Sequence, residues 1–71
     1  MTLLEAVPNI SEGRDPSVIQ AAREAIESGG ATLLGIEPDS DYNRTVLTYV
    51  GSHDEVVRSS VQLIRVTSCL L

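Results

Sequence analysis

The sequence predicts an α+β fold in which two helices cover one face of a small sheet. Three observations predict it. The apolar pattern changes from two-residue alternation to a 3.6-residue stripe and back again along the chain. Helix-start patterns occur at two places, and clusters of Gly, Pro, Asn and Asp separate the apolar segments. The predicted element order is β-α-β-β-α, within a single domain over residues 1–71.

The first predicted strand is short. Residues 3–7 alternate in polarity around Glu5. Pro8 cannot donate a hydrogen bond to a strand ladder, so we expect the strand to end there. The next segment, PNISEGR, is typical of a loop.

The first helix is predicted to begin at Asp15 and Pro16. Asp15 can cap the helix, and Pro16 occupies the first helical position, where its missing N–H costs nothing. Residues 28–30, Ser-Gly-Gly, predict its end because glycine readily adopts the left-handed conformation there. The apolar stripe of this helix consists of Val18, Ile19, Ala22, Ala25 and Ile26.

Two further strands are predicted around an acidic turn. Residues 31–36, ATLLGI, form a short apolar run whose length favours a buried strand. Residues 44–50, RTVLTYV, are rich in β-branched and aromatic residues, and Gly51 closes that strand. One face of the second of these strands carries Thr45, Leu47 and Tyr49.

The second helix is predicted from the sequence SHDE. Ser52 and Glu55 have the spacing of a capping box, which predicts a helix start. We expect its outer side to carry Arg58, Gln62 and Arg65. The inward side is expected to carry Val56, Val57, Val61, Leu63 and Ile64.

The element order is that of the ferredoxin-like split βαβ arrangement, with its last strand missing. We therefore expect an antiparallel or mixed sheet, with the outer backbone groups of the first strand uncovered. A domain of 71 residues is marginally stable unless a partner or further segment completes its core. We also expect the segments that follow the first and second strands to meet at one end of the sheet.

The composition disfavours several function classes. A net charge of −5 repels a phosphate backbone, and with no Trp, no Phe and two Tyr there are few platforms for base stacking, so we expect no nucleic-acid partner. The start has no basic region before its apolar residues, and no run approaches the roughly 20 apolar residues of a membrane span. One cysteine, Cys69, allows no internal disulfide. We expect a cytoplasmic protein without a membrane partner.

The acidic segment 37–41 has three competing interpretations. For calcium binding, Asp39, Asp41 and Asn43 occupy the first, third and fifth positions of an EF-hand loop. The pattern then fails, because Arg44 replaces the required glycine and Val50 the required glutamate, so we expect no metal site. A plain polar turn is the second interpretation. The third is a ligand site.

The ligand interpretation depends on two polar segments. Glu37, Asn43 and Arg44 place an acceptor, an amide and a planar cation at one strand–loop boundary. The loop after the first strand adds Asn9, Ser11, Glu12 and Gly13, which can shape a concavity for an anion or amide. The single histidine, His53, is expected to face solvent in the first turn of the second helix.

The chain resembles the N-terminal subdomain of the folate-dependent glutamate formiminotransferase family. The resemblance covers residues 4–70, in order and spacing. The segments that carry it are EAVPNISEGR, LLGIEPDSDYNRTVLTYVG and the amphipathic helix that follows.

The resemblance implies two α/β subdomains whose sheets face each other across a groove. It implies transfer of a formimino group from N-formiminoglutamate to tetrahydrofolate, in histidine breakdown, with tetrahydrofolate as a substrate and no metal. Glu37 is then a catalytic candidate that hydrogen-bonds or moves a proton at the attacking folate nitrogen. The candidates for binding substrate and folate are Asn9, Ser11, Glu12, Gly13, Asn43, Arg44 and Thr45.

The family's catalytic histidine follows the second helix in a Gly-Glu-His-Pro-Arg-like segment that this sequence does not contain. General-base catalysis commonly contributes about 10²- to 10⁴-fold, so we expect the 71-residue chain alone to be inactive. The expected partners are the missing C-terminal subdomain or a second copy of the chain. The alternative is a non-catalytic interaction or ligand-sensing module that dimerises through its open sheet edge.

Overall fold

The structure is a computed structural model that describes residues 2–70. Strand β4 is central, with β1 and β2 along one side and β3 along the other, and all pairings are antiparallel. The α+β prediction is confirmed, and the arrangement is compatible with a ferredoxin-like fold. The elements are β1 (Leu4–Ala6), β2 (Asn9–Ile10), α1 (Pro16–Ser28), β3 (Thr32–Asp39), β4 (Arg44–Gly51) and α2 (His53–Leu70).

Strands β1 and β2 are two pieces of one strand. Both pair with β4 in the same register, with an interruption at residues 7 and 8. The carbonyl of Pro8 accepts the N–H of Leu47 at 3.0 Å, but proline has no N–H to return. Strand β1 thus ends before Pro8 as predicted, but the prediction that PNISEGR is a loop is wrong for Asn9 and Ile10, where pairing with β4 resumes.

The same bond fixes the direction of every backbone group in the sheet. In an antiparallel ladder, alternate residues direct both N–H and C=O to the same neighbour. Since Leu47 bonds to the first strand, its neighbours on β4 bond to β3. The residues left facing outward are Glu5, Val7 and Asn9 on the first-strand edge, and Ile36 and Pro38 on the β3 edge.

Helix α1 begins and ends as predicted. Asp15 is its N-cap, and one carboxylate oxygen accepts the N–H of Ser17 at 2.9 Å and its hydroxyl at 2.7 Å. These bonds stabilise the charged form and lower the pKa of Asp15 below its usual value. The helix ends before Gly29, and Gly30 has a φ of 100°. Buried on the inward side are Val18, Ala22, Ala25 and Ile26.

Strand β3 is longer than predicted and contains a bulge. It continues past Ile36 to Asp39, so Glu37 lies in the ladder instead of in the turn. The register shifts by one residue between Leu33 and Gly35, which leaves Leu34 as the extra residue. The bulge places Leu33 and Ile36 on the helix-covered side, where both pack against the core.

Helix α2 begins with the predicted capping box. The carboxylate of Glu55 accepts the N–H of Ser52 at 2.8 Å, and the hydroxyl of Ser52 accepts the N–H of Glu55 at 3.3 Å. Hydrogen bonding from Ser52 to this carboxylate, first from the backbone N–H and then from the side chain, lowers the pKa of Glu55. The reciprocal pair satisfies two amide groups that the first helical turn leaves without partners.

The predicted inward side of α2 is confirmed for Val56 and Leu63, which lie at the core, and wrong for three other residues. Val57, Val61 and Ile64 are 46%, 43% and 63% exposed, whereas Ser59 and Leu63 are buried. Ser59 faces inward because α2 crosses α1 too closely for a larger side chain: a Cβ on Gly29 would overlap the backbone of Ser59. The Ser59 hydroxyl donates to the Ile26 carbonyl at 2.6 Å.

The core lies between the helices and one face of the sheet. No helix within residues 2–70 is long and apolar enough to cross a membrane. The central cluster contains Ile10, Ala22, Ile26, Ala31, Leu47, Tyr49 and Leu63.

Candidate functional site

The sheet has one face that no helix covers. Along β4 the side chains of Thr45, Leu47 and Tyr49 are almost fully buried beneath the helices. The alternate residues therefore lie on the opposite side, which we call the open face. On β4 the open face carries Arg44, Val46, Thr48 and Val50.

Two predicted site residues flank one valine on the open face. Asn9 pairs with Val46 from one side, and Glu37 pairs with Val46 from the other. Their Cα atoms are thus about 10 Å apart, twice the spacing of neighbouring strands. Both residues are exposed, whereas Val46 is half-buried. The prediction that the two segments meet at one end of the sheet is confirmed.

A guanidinium lies at the same end of the open face. Arg44 begins β4 two residues before Val46, on the same side of the strand. Its guanidinium carbon lies 5.0 Å from the centre of the Tyr42 ring, which is a cation–π distance. Ser11 follows β2 and is exposed nearby in the chain. This end of the face combines an amide, a carboxylate and a cation around an apolar centre.

The other predicted site residues join the two loops. The N–H of Gly13 donates to the Asn43 side-chain oxygen at 3.1 Å. Asn43 has a φ of 51°, a left-handed conformation that asparagine tolerates. A Cβ on Gly13 would lie 2.5 Å from the Asp39 carbonyl oxygen and closer still to that of Arg44. Only glycine therefore allows the loops to approach this closely.

Thr45 and Glu12 add further hydrogen bonds to this contact between the two loops. The Thr45 hydroxyl donates to the Glu12 carbonyl, and Thr45 is fully buried on the helix-covered side. The Glu12 carboxylate accepts the N–H of Arg14 at 2.9 Å and that of Asp15 at 3.3 Å. The contacts of Glu12, Gly13, Asn43 and Thr45 are thus structural, and their roles in binding stay predictions.

The acidic turn has the contacts of a hairpin turn. A carboxylate oxygen of Asp39 accepts the N–H of Asp41 at 3.1 Å and that of Tyr42 at 3.3 Å. In the described part of the chain, no three His, Cys, Asp or Glu residues are grouped to hold a metal ion. The His53 side chain is 78% exposed, and its Nδ1 lies 3.6 Å from the Asp54 carboxylate.

Sequence reasoning missed two parts of this surface. Tyr42 was not singled out, although its ring lies against the Arg44 guanidinium. Val46 was not singled out, although it lies between the two polar candidates. The predicted alternation of β4 already placed Val46 opposite the buried Thr45 face, so the pattern contained that information.

The fold and this surface define a class: a small α+β domain whose sheet has helices on one face and exposed polar residues on the other. The sequence profile of the formiminotransferase domain, N-terminal subdomain, matches residues 3–71. The chain belongs to this family.

Relatives with curated names agree with this assignment. The formimidoyltransferase-cyclodeaminase of Dictyostelium discoideum is 43% identical over 70 residues, which is 97% of this chain and 13% of that protein. The glutamate formimidoyltransferase of Thermoplasma acidophilum is 41% identical over 58 residues, 80% of this chain and 19% of that protein. That of Streptococcus pyogenes is 34% identical over 67 residues, 93% and 22% of the respective chains. This chain spans less than a quarter of each.

Proposed function

We propose that the open face is one wall of a site where a formimino group passes from N-formiminoglutamate to tetrahydrofolate, a step of histidine degradation. The observation that carries the proposal is the row formed by Asn9, Val46 and Glu37. Membership of the formiminotransferase family supports the reaction class. The names of the glutamate formimidoyltransferases support glutamate as the carrier.

The row offers distinct groups to the two substrates. Val46 provides an apolar surface for a flat ring, with Asn9 and Glu37 about 10 Å apart on either side to hydrogen-bond its edges. The Arg44 guanidinium suits a substrate carboxylate, because its donors match two carboxylate oxygens at once. We expect stacking on Tyr42 to restrict the orientations that Arg44 adopts.

In the transfer, the attacking folate nitrogen bonds to the formimino carbon, and the bond from that carbon to the glutamate nitrogen breaks. The attacking nitrogen loses a proton, and the leaving glutamate nitrogen gains one. We expect Glu37 to accept a hydrogen bond from the attacking nitrogen. We expect a histidine like the family's, from a segment that follows the second helix, to complete the site as general base, so the 71-residue chain alone should bind weakly and not turn over.

The test measures folate binding and turnover separately. Tetrahydrofolate should raise the Tm of the 71-residue chain, because a ligand that binds only the folded state stabilises it. Glu37→Gln should remove most of that shift. Glu27→Gln, on an exposed position of α1, is the matched control and should leave the shift unchanged.

Activity is assayed for the chain alone and with a C-terminal remainder of a relative added in trans. Turnover only in the mixture, lowered by Glu37→Gln, is the expected result. Turnover by the chain alone would refute the need for that histidine. If tetrahydrofolate raised the Tm of Glu37→Gln and Glu27→Gln by the same amount, the proposal that the open face is one wall of the folate site would be refuted.

A further inference from the structure

A groove with two arginines lies on the other side of the sheet from the open face. It runs between α1 and the outer edge of β3, with a volume of about 460 Å³. Its apolar floor includes Ile36 and Pro38, which lie on the helix-covered side of β3. A ligand in this groove cannot contact the row around Val46, since the sheet separates them.

The α1 side of the groove is one continuous stripe. Ile19, Gln20 and Arg23 line it at helical spacing, next to Pro16 at the helix start. This stripe is adjacent to the buried residues of α1 and distinct from them. The helix therefore uses one side for the core and presents a neighbouring side to the groove.

The charge of the groove is opposite to that of the chain. Arg14 and Arg23 both line it, and they are two of the five cationic side chains in a chain of net charge −5. Arg14 is held in place, because its Nε donates to the Ser40 carbonyl at 2.8 Å. That bond leaves its terminal amino groups to bind an anion.

The start of helix α1 adds to the positive potential, whereas Ile36 directs both its N–H and its C=O outward from the β3 edge, so these two groups oppose each other. The groove adjoins the positive end of α1. Two carboxylates directly follow these arginines in sequence: Asp15 accepts two hydrogen bonds from Ser17, and Glu24 accepts one from the Gln20 amide at 3.3 Å.

We propose that this groove binds a small organic carboxylate whose apolar part lies on Ile19, Ile36 and Pro38 while its charge meets Arg14 and Arg23. Charge complementarity favours an anion as the ligand. The apolar floor favours an organic carboxylate with a hydrocarbon part, and disfavours an inorganic ion that has none. The groove volume is within the range of small-molecule sites. This inference does not depend on the proposed function.

The test is an NMR titration of the 71-residue chain with phenylacetate as the probe. Amide shifts should concentrate at Ile36 and at the groove-lining residues of the segment 13–23. Arg23→Gln should weaken phenylacetate binding by about fivefold, since a charged hydrogen bond at a solvated site is lost. Arg65→Gln removes the same charge from an exposed position of α2 and should leave the affinity unchanged.

Two further probes separate charge from apolar contact. Phenylacetamide, which is neutral, and inorganic phosphate, which has no apolar part, should both bind at least about fivefold more weakly than phenylacetate. Equal affinity for either would overturn the proposal, as would equal weakening by Arg23→Gln and Arg65→Gln. Amide shifts centred on Asn9, Val46 and Glu37 would also overturn it. Circular dichroism of each variant checks that the fold is retained.

Discussion

The two edges of the sheet each carry a proline, with opposite consequences. On the first-strand edge, Pro8 faces inward, so the sheet loses a ladder bond to Leu47 while the outer edge keeps its donors. On the β3 edge, Pro38 faces outward, so no internal bond is lost and the edge has one donor fewer. The comparison teaches that a strand proline protects an edge only when its position in the alternation directs it outward.

The two edges also differ in what lies above them. Helix α1 lies beside the β3 edge and encloses a groove with it. Above the first strand, α2 leaves an apolar stripe exposed, formed by Val57, Val61 and Ile64. Within residues 2–70 the β3 edge is thus partly closed, and the first-strand edge is open to an added strand.

The largest loss of stability should come from a change at Gly13, where the loop after β2 contacts the turn between β3 and β4. Gly13→Ala should destabilise the protein by about 3 kcal/mol, because its Cβ would overlap backbone atoms of residues 39 and 44 that cannot move independently. Gly35→Ala is the control, since a Cβ there meets nothing within 4 Å. Urea denaturation measures both. Similar losses of stability in the two variants would contradict the close contact between the two loops at Gly13.

A neighbouring pair of proline substitutions tests the alternation directly. Ala6→Pro removes an inward N–H and should cost about 2 kcal/mol, because an acceptor on β4 loses its partner. Val7→Pro removes an outward N–H and should cost less than about 1 kcal/mol. Urea denaturation of the two variants provides the comparison. A larger loss for Val7→Pro would show that the assigned ladder direction is wrong.

A smaller effect should follow from restoring the missing ladder bond. Pro8→Ala supplies an N–H that faces Leu47, and hydrogen exchange should show this amide to be protected. Stability should change by less than about 1 kcal/mol, because the new bond and the greater freedom of the unfolded chain oppose each other. In Pro38→Ala the new amide should exchange rapidly. Protection of both amides would remove the distinction between the edges.

The smallest effect should be the pH dependence at the two helix starts, one beside each edge. The pKa values of Asp15 and Glu55 are lowered by hydrogen bonds from Ser17 and Ser52. On acidification these two carboxylates therefore take up protons at a higher pH in the unfolded chain than in the folded protein. The stabilisation is present at neutral pH and is lost as the pH falls through the folded-state pKa values.

Asp15→Asn and Glu55→Gln keep the capping geometry and should flatten the acid limb of the stability curve, measured by thermal denaturation from neutral to acid pH. Arg65→Gln is the control and should leave the slope unchanged. An unaltered slope in both carboxylate variants would contradict the role of these caps.

The sequence predicts the elements well where a local rule determines them. Both helix starts follow from capping residues, Asp15 and Ser52, whose bonds form within three positions of the chain. The buried face of β4 follows from strict alternation. In each case the deciding atoms are close in sequence, so a pattern rule can identify them.

Long-range contacts explain the predictions that were wrong or incomplete. The phase of α2 is set by the close approach of Ser59 to Gly29, thirty positions earlier in the chain. Hydrophobicity alone favoured the Val57 stripe instead. Likewise, the hydrogen bond from Gly13 to Asn43 was not predicted, because it forms only when the two loops meet. Pairing of β3 with β4 also drew Glu37 from the turn into the sheet.

The bulge at Leu34 has a consequence for how the wall tolerates insertions. Upstream, β3 is anchored by the end of α1, and downstream it is anchored by the turn that pairs Asp39 with Arg44. Leu34 is the one unpaired residue that lets β3 keep its pairing with β4 on both sides of the bulge. Length changes near Leu34 would therefore be absorbed locally, and Glu37 would keep its orientation while the connection to α1 varied in evolution or design.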